Sequence, residues 1–414
     1  MTDGTTEHAT CLGCGCACDD IGVVVKGGRI VEARNACALG SAWFGDGVVP
    51  AETLVDGRAA SLEQAIAKAA AMLAGAKRPL VYIAGDVSCE AQREAVAIAD
   101  RLHAAVDSLA ATAGGSVLAA QRRGRATATL GEVRQRADLV IFWAVDPSDR
   151  YPRFAARYAV EPPDRKAPSI VAVDVGASRG PREADVRVMI TAADEVDALG
   201  VMRATVGGRA IDAADRFGPA IELARRMRQA KYVAIVVDGE PGAAPVDPDR
   251  SEALITLAQA LNGTTRCALS TLRAGGNRSG ADAVLTWQTG FPYAVDFAGG
   301  TPSYRPAAGA HVLLAGGEVD AALVVGAPGT LPGPVAAGLA GVPVAVVGPR
   351  ASAAALRPMV AIDTGVAGIH EGGTAFRMDD VPLPLRASLG GPRAALNVMR
   401  GLRVQLGARD GAHE

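Results

Sequence analysis

Three observations predict an α/β protein. Unbroken apolar runs such as Leu80-Val-Tyr-Ile-Ala84 recur between helix-patterned stretches, Ala and Gly are abundant while aromatics make up 4%, and glycine turns punctuate the chain. The architecture expected is an N-terminal cysteine-rich β-hairpin followed by two doubly wound Rossmann-like domains. At 414 residues the chain exceeds what one core usually holds. The divisions expected are residues 1–57 for the cysteine-rich hairpin, 58–206 for the first α/β domain, 207–350 for the second, and 351–414 for a C-terminal segment packing back on the first.

Each element follows from a local signal. Gly22-Val-Val-Val-Lys26 and Arg29-Ile-Val-Glu-Ala33 flank Gly27-Gly28 and read as two strands around a turn. Ser61 followed by Gln64 is a capping box that opens an Ala-rich helix through about Leu73, with Gly75 as its stop. Leu80 to Ala84 reads as a strand buried on both faces, and Glu90 to Leu102 as its crossover helix. Leu139-Val-Ile-Phe-Trp143 and Ile170-Val-Ala-Val-Asp174 repeat the strand type. After a soft boundary near Gly207-Gly208 come the strand Tyr232 to Val237, a helix from Glu252 to Leu261, and the strands Ala321 to Val325 and Val342 to Val347. Pro343 makes the last of these an edge strand or places the proline at its start. A Gly- and Pro-punctuated segment around Glu371 to Asp379 leads to a closing helix near Arg393 to Leu406.

Composition excludes several function classes. Forty-two basic residues against forty-four acidic ones leave no field to attract nucleic acid or an anionic membrane. No apolar run reaches the ~20 residues a membrane span needs, and the first residues lack the basic and apolar regions of a signal peptide, so a cytoplasmic protein is expected.

Five of the seven cysteines fall within the first thirty-seven residues, in Cys11-Leu-Gly-Cys14-Gly-Cys16-Ala-Cys18 and Asn35-Ala-Cys37. The spacing C-x2-C-x3-C, then eighteen residues, then C, makes Cys11, Cys14, Cys18 and Cys37 candidate metal ligands. The hairpin between the third and fourth would return Cys37 to the others. Two uses of four thiolates remain open, one [4Fe-4S] cluster or a tetrahedral zinc site, beside unligated thiols. A disulfide framework is the poorer reading, since cysteines this close would be strained. Cys16 is left over as a spare thiol in a tight loop.

A cysteine hairpin leading into α/β domains resembles the molybdopterin or tungstopterin oxidoreductases. Further stretches narrow the resemblance to the B subunit of formylmethanofuran dehydrogenase: Thr129-Leu-Gly-Glu-Val-Arg134 with Ala137-Asp138, Asp146-Pro147, Pro152-Arg153 with Arg157-Tyr158, Trp287-Gln-Thr-Gly-Phe-Pro292, and Glu371 to Asp379. The methylotroph form, the beta subunit of a formyltransferase/hydrolase complex, is similar in kind. The resemblance implies one-carbon metabolism, conversion of formyl-tetrahydromethanopterin to formate through a furan-type carrier, and a hetero-oligomer with amidohydrolase-like, formyltransferase-like and glutamate-synthase-like subunits.

Two departures from the family pattern bear on activity. Where the redox-active family carries a metal-ligating cysteine in a Val-Cys-His-Gly-Pro segment, this chain has Ala111-Thr112-Ala113-Gly114-Gly115. A neutral hydroxyl is a poor ligand for molybdenum or tungsten, and Ala113 replaces the neighbouring imidazole. Leu39 stands where many pterin oxidoreductases place a Lys or Arg between cluster and pterin. The expectation is therefore a non-redox structural and carrier-binding subunit without molybdopterin or tungstopterin. Its rivals are a working molybdenum or tungsten enzyme and a scaffold stabilised by a four-cysteine zinc site.

A polyglutamate-type carrier tail is anionic, so its path should contain basic residues. Arg150, Arg153 and Arg157, with Arg305 opposite, are the candidates; the plainer reading pairs these arginines with Asp146 or Asp149. Smaller signals are Asp19-Asp20, the glycine loops Ala113 to Ser116 and Ala274 to Asn277 as phosphate cradles, and the aromatics Trp287, Phe291, Tyr293 and Tyr304 as a core plug or channel wall. His370-Glu371 reads as either an acid–base pair or a structural one.

Overall fold

The structure, a computed structural model, describes residues 3–159, 166–212, 214–240 and 248–410. The chain forms two compact units, one of residues 1–111 with 275–414 and one of residues 112–274. It is a mixed α/β protein built on parallel sheets.

The first unit begins with a three-stranded antiparallel sheet. Ile21–Lys26 and Arg29–Arg34 form the hairpin expected from the glycine turn, and Gly4–Ala9 adds a third strand beside Ile21–Lys26. Its main sheet runs, edge to edge, Ser303–Tyr304, Val295–Asp296, Ala105–Ser108, Pro79–Ile83, Ala321–Val325, Val344–Gly348, Val360–Asp363, Thr53–Val55 and Arg58–Ala59. The five strands from Ala105–Ser108 to Val360–Asp363 are parallel. Their apolar runs reflect burial on both faces. From Pro79–Ile83, Val81 and Ile83 enter a core under the helices Leu62–Ala74, Cys89–Arg101, Arg278–Thr289 and Ala395–Asp410, while Leu80 and Tyr82 enter the opposite core under Ala310–Ala315 and Gly333–Leu339. The strand Val344–Gly348 starts just after Pro343 and lies between two others, so the proline precedes a central strand and the ladder loses no donor.

The helix Leu62–Ala74 carries the capping box that its sequence announces. The Ser61 hydroxyl accepts from the Gln64 amide at 3.1 Å, and the Gln64 side chain accepts from the Ser61 amide at 3.0 Å. We expect Ser61→Ala to lower stability by about 1 kcal/mol, read by denaturant unfolding, because two orphan amides lose their acceptor arrangement.

The second unit holds a five-stranded, all-parallel sheet ordered Val186–Ile190, Ser169–Val175, Leu139–Trp143, Tyr232–Asp238, Arg266–Leu272. The helices Gly114–Arg123, Glu195–Val206, Ala214–Gln229 and Pro248–Asn262 supply its core. The Gly207-Gly208 junction lies inside this unit, between two helices that pack on one another. No helix among the described residues is long and apolar enough to cross a membrane.

Candidate functional site

The cysteine loop of the first unit hangs between the strands Gly4–Ala9 and Ile21–Lys26. Its ends are closed by the Cys11 amide donating to the Cys18 carbonyl at 2.9 Å, and its tip by the Ala17 amide donating to the Cys14 carbonyl at 3.1 Å. Cys37 caps the short helix Ala38–Phe44. On that helix Gly40 presents no side chain to Cys11 Sγ, where a Cβ would sit 3.2 Å away. The hairpin thus returns Cys37 to the loop. Burial pushes the Cys11 thiol up, with smaller upward contributions from nearby Cys14, Cys18 and Cys37.

Cys14 and Cys16 are the unexpected pair. A hydrogen bond from the Cys16 thiol is the main reason that Cys14 is lowered to about 7, against the opposing effect of burial. Four sulfurs are the right donors for a cluster or zinc. Yet among the described residues no group of three or more His, Cys, Asp or Glu side chains stands where it could hold one ion, and Cys14 engages Cys16, outside the expected set.

The loop rests on backbone. The Gly276 amide donates to the Leu12 carbonyl at 2.8 Å, and the Met378 amide to the Gly15 carbonyl at 3.0 Å. A Cβ on Gly275 would lie 2.7 Å from the Cys14 nitrogen and would overlap the Leu12 oxygen. The glycine pair before Asn277 therefore serves close approach to the cysteine loop. Asn277 organises the far side. Its amide nitrogen donates to the Val87 carbonyl at 2.9 Å and its oxygen accepts from the Phe376 amide at 2.9 Å. The segment Glu371 to Asp379 is tied in at several further points, with Thr374 donating twice to Glu90 and Arg377 bidentate to Asp379.

A cavity of about 330 Å3 opens where the main sheet's strand order reverses, beyond the carboxyl ends of Pro79–Ile83 and Ala321–Val325. Such reversals are where open α/β sheets receive ligands. Trp43, Asp86, Thr330, Arg350 and His370 line it. Asp86 sits at φ +65° and accepts from Trp43 Nε1 at 3.0 Å; burial raises its pKa and the indole N–H opposes the rise. His370 is structural. Its Nδ1 accepts from the Val366 amide at 3.0 Å, which leaves Nε2 to donate to the Gly47 carbonyl at 2.7 Å, and burial lowers its pKa.

Glu371 is buried, accepts from the Ala395 amide at 2.7 Å, and is raised to about 7 by burial, with the Glu90 carboxylate adding to the rise. Because the folded protein holds this proton above the ordinary carboxylate range, Glu371 contributes stability at low pH that is lost as pH rises through about 7. Unfolding midpoints of Glu371→Gln, which keeps an acceptor for Ala395, should fall less than wild type between about pH 5 and 7. An unchanged slope would show that Glu371 is ionised throughout.

The second unit has its own reversal, between Leu139–Trp143 and Tyr232–Asp238. Asp238 there takes Arg150 Nη1 at 3.1 Å and the Tyr151 hydroxyl at 3.1 Å, and burial raises its pKa. The Glu240 amide donates to Asp238 at 3.0 Å. The Glu240 carboxylate in turn accepts from the Ala274 amide at 2.9 Å and from the Thr112 hydroxyl at 3.4 Å, with Arg273 Nε at 3.5 Å. This unit thus joins Thr112 to Arg150 through Asp238 and Glu240. Arg153 caps the short helix Phe154–Tyr158, and Arg157 lies over the Tyr158 ring.

Arg305, in the first unit, pairs with Asp296 at 2.8 Å. Phe291 stacks on Tyr304, which meets Tyr293 edge to face, whereas Trp287 contacts Phe376 instead and is 61% exposed. Ala113 to Ser116, read as a loop, spans the start of the helix Gly114–Arg123. Trp43, Asp86 and Glu240 carried no signal in the sequence, and Gly275, expected in a phosphate cradle, instead meets the cysteine loop.

No protein-family model matches the chain. It is 30% identical over 417 residues, 94% of the chain and 95% of the relative, to the B subunit of the tungsten-containing formylmethanofuran dehydrogenase 2 of Methanocaldococcus jannaschii. The protein of the same name from Methanococcus maripaludis is 28% identical over 418 residues, with the same shares covered. Among solved structures, one chain of the formyltransferase/hydrolase complex (FhcABCD) from Methylorubrum extorquens, in complex with methylofuran, matches with a TM-score of 0.72 at 26% identity. The match covers 87% of this chain and 99% of that one.

Proposed function

This chain belongs to the family of formylmethanofuran dehydrogenase B subunits, and on that premise we propose that it is a non-redox, structural and carrier-binding subunit of a formyltransferase/hydrolase complex in one-carbon metabolism. The observation that carries the reading is Thr112. It stands where the redox-active family is expected to supply a thiolate ligand, and its hydroxyl is turned to the Glu240 carboxylate. A hydroxyl engaged in this way offers molybdenum or tungsten neither the charge nor the softness of a cysteine sulfur. Formyl hydrolysis requires an activated water, which an amidohydrolase-like partner would provide, and formyl transfer belongs to another partner.

The part assigned to this chain is to hold those partners in register and to carry the anionic tail of a furan-type carrier between them. Tethering of that kind replaces diffusion by a high local concentration. Arg150, Arg153, Arg157 and Arg305 are the proposed contacts. Three of them lie on one short stretch after Leu139–Trp143, where guanidinium groups can meet successive carboxylates. Charge reversal of Arg153 and Arg157 should reduce the carrier retained by the purified complex and its formate output, with each isolated partner reaction unchanged. Undiminished carrier in an assembled double mutant would leave a scaffold role alone.

The names of the tungsten-containing relatives favour a second reading, a working redox subunit. Elemental analysis of the purified complex separates the two. The proposal expects neither molybdenum nor tungsten above trace, and stoichiometric amounts of either would replace it with the second reading.

A further inference from the structure

The second unit encloses a small polar cavity that the proposed function does not use. It has a volume of about 30 Å3 and lies at the carboxyl ends of Tyr232–Asp238 and Arg266–Leu272, among Ser116, Arg125, Asp238, Arg250, Ser251 and Thr271. A water needs ~10–15 Å3, so the space takes roughly two waters or one anion of three heavy atoms. Its wall suits an anion. Ser116 belongs to the first turn of Gly114–Arg123, and Arg250 and Ser251 to the first turn of Pro248–Asn262, so two helices bring their positive ends to it. Arg125 is anchored there by Nη1, which donates to Thr271 Oγ1 at 2.8 Å. The Arg250 side chain is 8% exposed, and its Nη2 is buried with no hydrogen-bond partner among the described residues. Glu195 takes only Nε of this guanidinium, through the oxygen that also accepts from Trp143, and its other oxygen lacks a partner too, so the pair is joined at one contact and not as a fork. A buried guanidinium nitrogen without an acceptor is costly, and an acceptor that enters the cavity supplies the missing bond.

We propose that this cavity binds one small monovalent carboxylate of formate's size, held between Arg125 and Arg250 with the Ser251 hydroxyl as a further donor. Charge sets the valence. The guanidinium groups of Arg125, Arg150 and Arg250 stand against the carboxylates of Asp238 and Glu195, and beyond Asp238 the Glu240 carboxylate has Arg273 beside it, so one positive charge is left over. Asp238, on the wall itself, is already engaged by Arg150, the Tyr151 hydroxyl and the Glu240 amide. Shape sets the class. Guanidinium N–H groups meet a planar carboxylate at two oxygens, which a halide does not offer, and a phosphate brings more charge and more atoms than the space takes. The inference uses the geometry of the second unit alone and stands or falls apart from the role proposed for Thr112; under that role, the ligand would be the product that the complex releases.

The test titrates the intact chain with formate at constant ionic strength and reads binding by saturation-transfer NMR. The signal should saturate below about 100 mM, and acetate, one methyl group larger, and chloride, which offers a single contact point, should each compete about tenfold less well. Arg125→Gln, which keeps a donor for Thr271 and removes the charge, should weaken formate by about tenfold or more. Ser251→Val, which fills the cavity, should abolish the saturable signal, and circular dichroism should be unchanged in both variants. Arg250 is left in place because its loss unpairs Glu195. The absence of saturation in wild type would overturn the proposal, as would formate binding unchanged in either variant, or acetate or chloride competing as well as formate itself. Should a variant fail to fold, the wild-type comparison of formate with acetate and chloride decides.

Discussion

Replacing Arg250 by methionine should cost about 3–5 kcal/mol of folding stability, because it leaves one buried charge without its partner. Arg250 Nε meets Glu195 Oε1 at 2.7 Å, with the two side chains 8% and 2% exposed. The same carboxylate oxygen accepts from Trp143 Nε1 at 2.7 Å, so strand Leu139–Trp143, helix Glu195–Val206 and helix Pro248–Asn262 all close on one acceptor. Pairing charges in a core is a weak net source of stability, whereas unpairing them is expensive. The companion change Glu195→Gln, which still accepts from Trp143, should therefore recover most of the loss in the double variant. Urea unfolding followed by circular dichroism measures both. A single variant within about 0.5 kcal/mol of wild type would show that water reaches the pair.

Gly275→Ala should cost about 3 kcal/mol or more and loosen the cysteine loop before anything else. The added Cβ meets the Leu12 carbonyl oxygen, the Cys14 nitrogen at 2.7 Å and the Gly13 carbonyl carbon at 2.8 Å, all main-chain atoms that cannot rotate aside. Gly275 has no positive φ, so the loss would arise from contact and not from backbone strain. To accommodate the methyl group, the loop must move away from Gly276 and give up the bond from its amide to Leu12. Alkylation of Cys14 and Cys16 in the native protein should accelerate together with the drop in unfolding midpoint. Normal stability with unchanged thiol reactivity would show that the two backbones separate without cost.

Some of this fold is legible because the signals are local. Ser61 and Gln64 lie three residues apart and satisfy one another across a single helical turn, so the start of Leu62–Ala74 follows from the residue types. Gly27 and Gly28 both take positive φ in the turn of the predicted hairpin. Runs such as Leu139 to Trp143 are apolar at every position because both faces of a parallel strand are covered. Other strands left no comparable trace. Gly4–Ala9 is nearly all exposed and polar, and Val186–Ile190 is an edge strand with only alternate burial.

The sequence by itself determined the α/β class, the main strands and crossover helices, the hairpin that returns Cys37 to the loop, and the family, since these rest on residue type, spacing and short-range hydrogen bonds. Tertiary structure alone decided which strands are neighbours. Pro79–Ile83 lies between Ala105–Ser108 and the far more distant Ala321–Val325, and no residue in the apolar run names that partner, because parallel pairing is made by the backbone and any strand buried on both faces can supply it. It decided the course of the cysteine loop for the same reason. Spacing counts cysteines along the chain, but the path of the loop is set by a turn at Cys14–Ala17 and by Gly275, distant in sequence, whose backbone presses on that turn.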